Sequence, residues 1–163
     1  MEIEDGASIH SPAAIFHPLL SILMRLNRNA LRLIRAARIA HLATADAAGR
    51  PYVVPICFVF DGKHFYSPID EKPKQVAPQK LKRLKNIREN PTVSLVIDRY
   101  DEDWNKLAYL IVFGTARTLS SGTKHHNAVR RLRRKYPQYR LMAIDRLPII
   151  CITVNRIRSW GRF

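Results

Sequence analysis

Acidic side chains are scarce in this sequence: 13 Asp and Glu stand against 28 Lys and Arg, a formal charge of +15 over 163 residues. Such a surface attracts polyanions, so charge alone leaves nucleic acid, anionic lipid and a phosphate-bearing cofactor open. Many single cations in such a chain simply solvate its surface. Cysteine is scarcer still. Cys57 and Cys151 are the only two, and they form no disulfide framework, CxxC or Cys/His cluster. Each lies in an apolar run, where a free Cys packs as a small hydrophobe, and a reducing cytoplasm is the expected compartment. There is no GxGxxG and no GxxxxGK[ST], which removes the commonest nucleotide-binding loops. No apolar run is long enough to span a bilayer: the stretch from Ala13 to Met24 is short and broken by His17 and Pro18. Glu2, Glu4 and Asp5 precede it where a secretory signal carries positive charge, so no membrane role is expected.

Chemistry-bearing constellations are also few. His125 and His126 are adjacent, so on a helix they point in different directions and make a poor metal pair; no metal site is expected. No Ser/His/Asp or paired-carboxylate arrangement asserts itself, and no catalytic acid or base is named. None is required if a cofactor performs the difficult step.

What the sequence does carry is strand and turn chemistry. Leu26, Ala30, Leu33, Ile34 and Ala37 recur at helical spacing, with arginines on the other faces. Strands are expected at Ile39 to Ala45 and, after a polar turn at Asp46 to Gly49, along Tyr52 to Phe60. Asp61-Gly62 favours a tight hairpin into a strand from Lys63 to Ser67. Pro68, Pro73 and Pro78 impose a basic loop carrying Lys72 and Lys74. A helix from Gln79 to Glu89 follows, its apolar stripe being Leu81, Leu84 and Ile87, and it stops at Asn90-Pro91. Strands at Thr92 to Tyr100 and Leu107 to Leu119, a strongly basic helix at Gly122 to Tyr136, and a last strand at Ile149 to Arg158 complete the chain. About six strands with short links favour an antiparallel barrel over a doubly wound sheet.

In this order the elements resemble the pyridoxamine 5'-phosphate oxidase-like split β-barrel superfamily, and within it the branch of deazaflavin-dependent enzymes. The resemblance rests on an ordered series: Ala37 to Asp46 with Gly49-Arg50-Pro51, Val53 to Phe58, Phe65-Tyr66-Ser67, Lys72-Pro73-Lys74, Leu84 to Arg88, Asn90-Pro91, Tyr100 to Trp104, Gly114-Thr115-Ala116 and Tyr136 to Tyr139. It implies a mainly β, six-stranded antiparallel split barrel (the FMN-binding split barrel) over residues 24–163. Residues 1–23 are then an N-terminal extension, either not native or disordered. The resemblance further implies an oxidoreductase, a homodimer with coenzyme F420 or FMN at the subunit interface, moving a hydride to or from a small organic substrate. Carried over position by position, Val54, Pro55 and Ile56 lie along the ring, and Ser67, Lys72 and Lys74 meet the phosphate. Trp104, Trp160 and Arg162 close the pocket, from the same chain or from the partner.

The Lys-Pro-Lys triplet supports a phosphate contact on its own chemistry. Proline between two lysines favours an extended backbone with limited entropy left to lose, so two ammonium groups can meet one phosphate. The plain alternative is that the lysines only solubilise a loop. A rival function is a non-catalytic flavin-binding module or a basic nucleic-acid-binding barrel. Tyr52, Phe58, Phe60, Phe65 and Tyr66 could stack bases, but no RNP-like motif accompanies them and no nucleic-acid partner is expected. Because Met24 immediately precedes the opening helix, a chain started there is expected to keep the full-length melting midpoint and dimer. A loss of folding on truncation would show that residues 13–23 pack on the barrel or the dimer.

Overall fold

The structure is a computed structural model that describes residue 26, residues 28–69 and residues 81–162. The expected extension over residues 1–23 and the Lys72/Lys74 loop lie outside the described residues. Helix α1 (Arg28–Ala36) buries Ala30, Leu33 and Ile34, as the helical spacing predicts. Strands β1 (Ala40–Ala45), β2 (Pro51–Ile56), β3 (Val59–Phe60) and β4 (His64–Pro68) follow, then helix α2 (Lys82–Glu89) and strand β5 (Thr92–Arg99). Strand β6 (Ala108–Leu119), helix α3 (Gly122–Lys135) and strand β7 (Ile149–Gly161) close the chain. All seven strands form one curled antiparallel sheet in the order β2-β1-β5-β6-β7-β4-β3. Among the described residues no helix is long and apolar enough to cross a membrane.

Among the described residues the strand count is seven rather than six because the run from Tyr52 to Phe60 is cut at Cys57-Phe58. Its first half pairs with β1 and its second with β4, at opposite ends of the strand order. The cut has a chemical cause. Tyr136, almost wholly buried at the end of α3, accepts a hydrogen bond from Phe58 N–H at 3.0 Å. Its hydroxyl also lies 2.9 Å from the carbonyls of Phe58 and Arg38 and donates its one proton to one of them. The amide N–H of Phe58 is therefore taken by a side chain and does not enter a ladder. The Asp61-Gly62 hairpin forms as expected, with Gly62 at φ 101° and Asp61 accepting from Lys63 N, His64 N and Tyr66 Oη.

The sheet has two faces with different fates. Its concave side encloses the main core, from Ala40 and Leu42 through Leu95, Ile97, Leu110 and Val112 to Ile150 and Ile152. On the convex side, α3 covers the β3-β4 end, the first half of β7 and the last residues of β6, burying Tyr66, Cys151, Leu132 and Tyr136 in a second cluster against which Leu119 packs. The convex side of β2, β1, β5, the rest of β6 and the second half of β7 has no helix over it among the described residues.

One carboxylate fastens the β1–β2 turn to α2. The Asp46 side chain is buried and accepts from Ala48 N, Arg50 N, Arg50 Nε at 2.8 Å and Lys82 Nζ at 3.1 Å. The Lys82 ammonium, then the Arg50 guanidinium, hold its pKa far below the usual 3.8. A carboxylate depressed in this way contributes stability that is fully present above pH 3.8 and is lost as pH falls through the folded value. Asp46→Asn is therefore expected to lower the melting midpoint at pH 7, with the gap to wild type constant down to about pH 5 and narrowing below it. Melting curves across the acid range check this; equal midpoints at pH 7 would remove Asp46 from the fold's supports.

Candidate cofactor face

The open convex face owes its side chains to one extra residue. Along β6 the even positions Leu110, Val112, Gly114 and Ala116 stay on the core side. Along β7 the register slips between Phe113/Arg156 and Gly114/Val154, which leaves Asn155 as a bulge. Ile150, Ile152 and Val154 point into the core before the bulge, whereas after it Ile157 takes the inward position and Arg156, Arg158 and Trp160 turn outward. A β-bulge re-aims the strand in this way. Gly114 opposite the bulge has no room for a side chain, since a Cβ there would stand 2.5 Å from the Thr153 carbonyl oxygen.

The outward residues build a patch that is apolar, aromatic and cationic at once. Trp160 is 54% exposed and its ring stacks on Tyr109, with centroids 5.5 Å apart and planes 19° apart. The Arg156 guanidinium lies 4.5 Å over the Phe113 ring, directly across the strand pair. Arg158 occupies the row shared with Ile111, Val96, His41 and Pro55. At the end of the patch, Arg99 donates from Nε to Lys106 O and from Nη2 to Arg162 O, both at 2.9 Å, and Arg162 N–H donates to Leu107 O. These bonds pin the chain end onto the β5–β6 connection. Asp103 caps the Trp104–Lys106 turn by accepting from Asn105 N, and that bond, with the Asn105 side chain, lowers its carboxyl pKa.

Of the residues singled out from sequence, Trp104, Trp160 and Arg162 come together at this end, Trp104 fully in the open at 76% exposure. Pro55 is exposed on the same convex face, but Val54 and Ile56 turn inward, paired with Leu42 and Ala40 over the core. What β2 can offer a ring is thus its backbone: it ends the strand order, and such a strand presents N–H and C=O groups not taken by its one neighbour. Ser67 is buried on the core side of β4 in register with Ile150, ten positions along β7 from Trp160. One chain therefore holds its Ser67 end and its Trp160 end about 30 Å apart. Tyr109, Phe113, Arg156 and Arg158 were not singled out from sequence. The Arg-x-Arg-x-Trp spacing is a strand signal for one face, but Ile150, Ile152 and Val154 share its parity and assign it to the core unless the bulge is known.

Flat aromatic surface beside guanidinium groups, with spare backbone donors on an edge strand, suits a planar, anionic ligand. Among the described residues no group of three or more His, Cys, Asp and Glu is placed to hold a metal ion. The curled sheet with its one open face defines a split barrel. A family model described as pyridoxamine 5'-phosphate oxidase matches residues 26–161, and the chain belongs to that family. Among solved structures, the fold is similar to the conserved hypothetical protein Rv2991 from Mycobacterium tuberculosis (TM-score 0.67, 18% identity, 83% of this chain and 85% of that one). It is also similar to HutZ, the heme storage protein from Vibrio cholerae (TM-score 0.64, 16% identity, 85% and 95%), and to a protein described as an F420 reductase (TM-score 0.59, 19% identity, 82% and 98%). No curated protein matches significantly.

Proposed function

We propose that the protein is a homodimeric oxidoreductase that binds coenzyme F420 or FMN between subunits and moves a hydride to or from a small organic substrate. The observation that carries this reading is the uncovered convex face, where aromatic rings and guanidinium groups share a surface that a monomer leaves in water. When bound, the cofactor supplies the hydride chemistry; the protein supplies binding, orientation and water exclusion. The β2 edge around Val54, Pro55 and Ile56 lies along the ring through its backbone. Lys72 and Lys74, with Ser67 at the preceding strand end, take the phosphate. Trp104, Trp160 and Arg162 come from the partner and close the pocket, which answers the separation of the two ends within one chain.

Coenzyme F420 fits the charge better than FMN, because its phosphodiester and glutamyl tail present several anionic groups to Arg156, Arg158 and Arg162. Tail contacts at a surface are salt-sensitive. The deazaflavin is therefore expected to bind tighter than FMN at low ionic strength, with the advantage shrinking as the screening length falls from about 30 to 8 Å. Spectral titration with both cofactors at two salt concentrations measures it. Equal or tighter FMN binding at low salt would assign FMN, a co-purifying Soret band would point to haem, and tight loading without turnover would leave a binding module.

A further inference from the structure

A cavity of about 540 Å³ lies away from the open face, between α1, the β3–β4 turn and α3. Leu31, Ile34 and Phe60 form its floor, and Arg35, Arg131, Arg134 and Lys135 stand around it. The three α3 cations are spaced i, i+3 and i+4, so they crowd one helix face and repel one another. One carboxylate, Asp61, also lines the cavity, but its oxygens already accept from two backbone amides and the Tyr66 hydroxyl. Lys135 is half-buried, its Nζ 4.0 Å from the centre of the Phe58 ring and 3.5 Å from the Ile34 carbonyl oxygen, with no carboxylate beside it among the described residues. Burial, and then the nearby Arg38, press its pKa down to about 8, against a small opposing pull from Cys57. Among the described residues, four cations stand around an apolar floor and the one carboxylate beside them is already engaged, an arrangement that favours an anion.

We infer that this cavity is a binding site for a small organic phosphate, its phosphate held by Arg131, Arg134 and Lys135 and its apolar body lying on Leu31, Ile34 and Phe60. Planar guanidinium groups match carboxylate and phosphate alike in bidentate fashion, but only a phosphate monoester brings close to two negative charges and three acceptor oxygens to meet two guanidinium groups and an ammonium at once. The volume lies within the range of small-molecule sites. The site is independent of the cofactor reading, for the two share no residue.

Calorimetric titration of the full chain with phenyl phosphate tests it, with inorganic phosphate and phenol as partial probes. Phenyl phosphate is expected to bind saturably and more tightly than either part. Arg131→Gln with Arg134→Gln is expected to weaken it about tenfold or more, the loss due to charge-assisted contacts, at an unchanged melting midpoint. Arg88→Gln with Arg146→Gln, which removes the same charge from exposed positions elsewhere, is expected to change nothing. Lys72→Ala with Lys74→Ala is likewise expected to leave this affinity intact. Absence of saturable binding, equal weakening in the Arg88/Arg146 pair, or loss in the Lys72/Lys74 pair would each overturn the site. As a readout that does not depend on the arginines, isotopically methylated Lys135 followed by NMR should titrate at higher pH once phenyl phosphate is present. An unmoved titration would also count against it.

Discussion

Tyr136→Phe is expected to destabilise the protein by about 1–3 kcal/mol, although the ring and its packing remain. The deleted oxygen is the acceptor for Phe58 N–H and the donor to a neighbouring carbonyl, and Phe58 is fully buried. Water cannot reach the abandoned amide, so the variant carries the desolvation of an unpaired donor as well as the lost bond. Burial pushes the Tyr136 hydroxyl pKa up from 10 to about 12. A raised pKa means that the folded chain holds the proton more tightly than the unfolded one. Its contribution is therefore complete below pH 10 and lost as pH rises through about 12. Denaturant midpoints of the two proteins should differ clearly at pH 7 and converge in strong alkali. Matching midpoints at pH 7 would mean that the break between β2 and β3 does not depend on this hydroxyl.

Lys72→Ala with Lys74→Ala is expected to weaken cofactor binding about a hundredfold while leaving the melting midpoint nearly unchanged. A charge-assisted contact is worth roughly 1.5–3 kcal/mol, and two to one phosphate compound, with less than full additivity. Loop lysines contribute little to a fold. Isothermal titration and melting on the same samples separate the two effects. An unchanged affinity would take the loop out of the site; a collapsed midpoint would make it structural.

The elements of the barrel were legible because each is fixed by its own residues. The spacing of Ala30, Leu33 and Ile34, the Asp61-Gly62 turn and the stop at Asn90-Pro91 are local signals, and the helices and strands lie within a few residues of where those signals place them. What was not legible depends on partners far away in the chain. The cut at Phe58 is made by a tyrosine 78 positions on, and the Asp46 turn is completed by a lysine 36 positions on. The Asn155 bulge is a difference in register between two strands, which one strand's residues cannot reveal. The candidate site divides the same way. Trp104, Trp160 and Arg162, like Val54, Pro55 and Ile56, came from the resemblance, position by position. The positions carry over, but the directions of the side chains do not: Val54 and Ile56 turn to the core, opposite Leu42 and Ala40.

The length of β7 has a consequence for how the protein is loaded. With Ser67 and Trp160 at its two ends, no single chain completes the proposed site, so occupancy and association are linked equilibria. In the proposed dimer each bound cofactor would strengthen the pairing of subunits, and dissociation of the subunits would weaken the hold on both cofactors. Affinity measured at nanomolar protein would fall below that measured at micromolar protein, with no change in any contact. In a cell, the amount of this protein would itself set how much of it is charged for reaction.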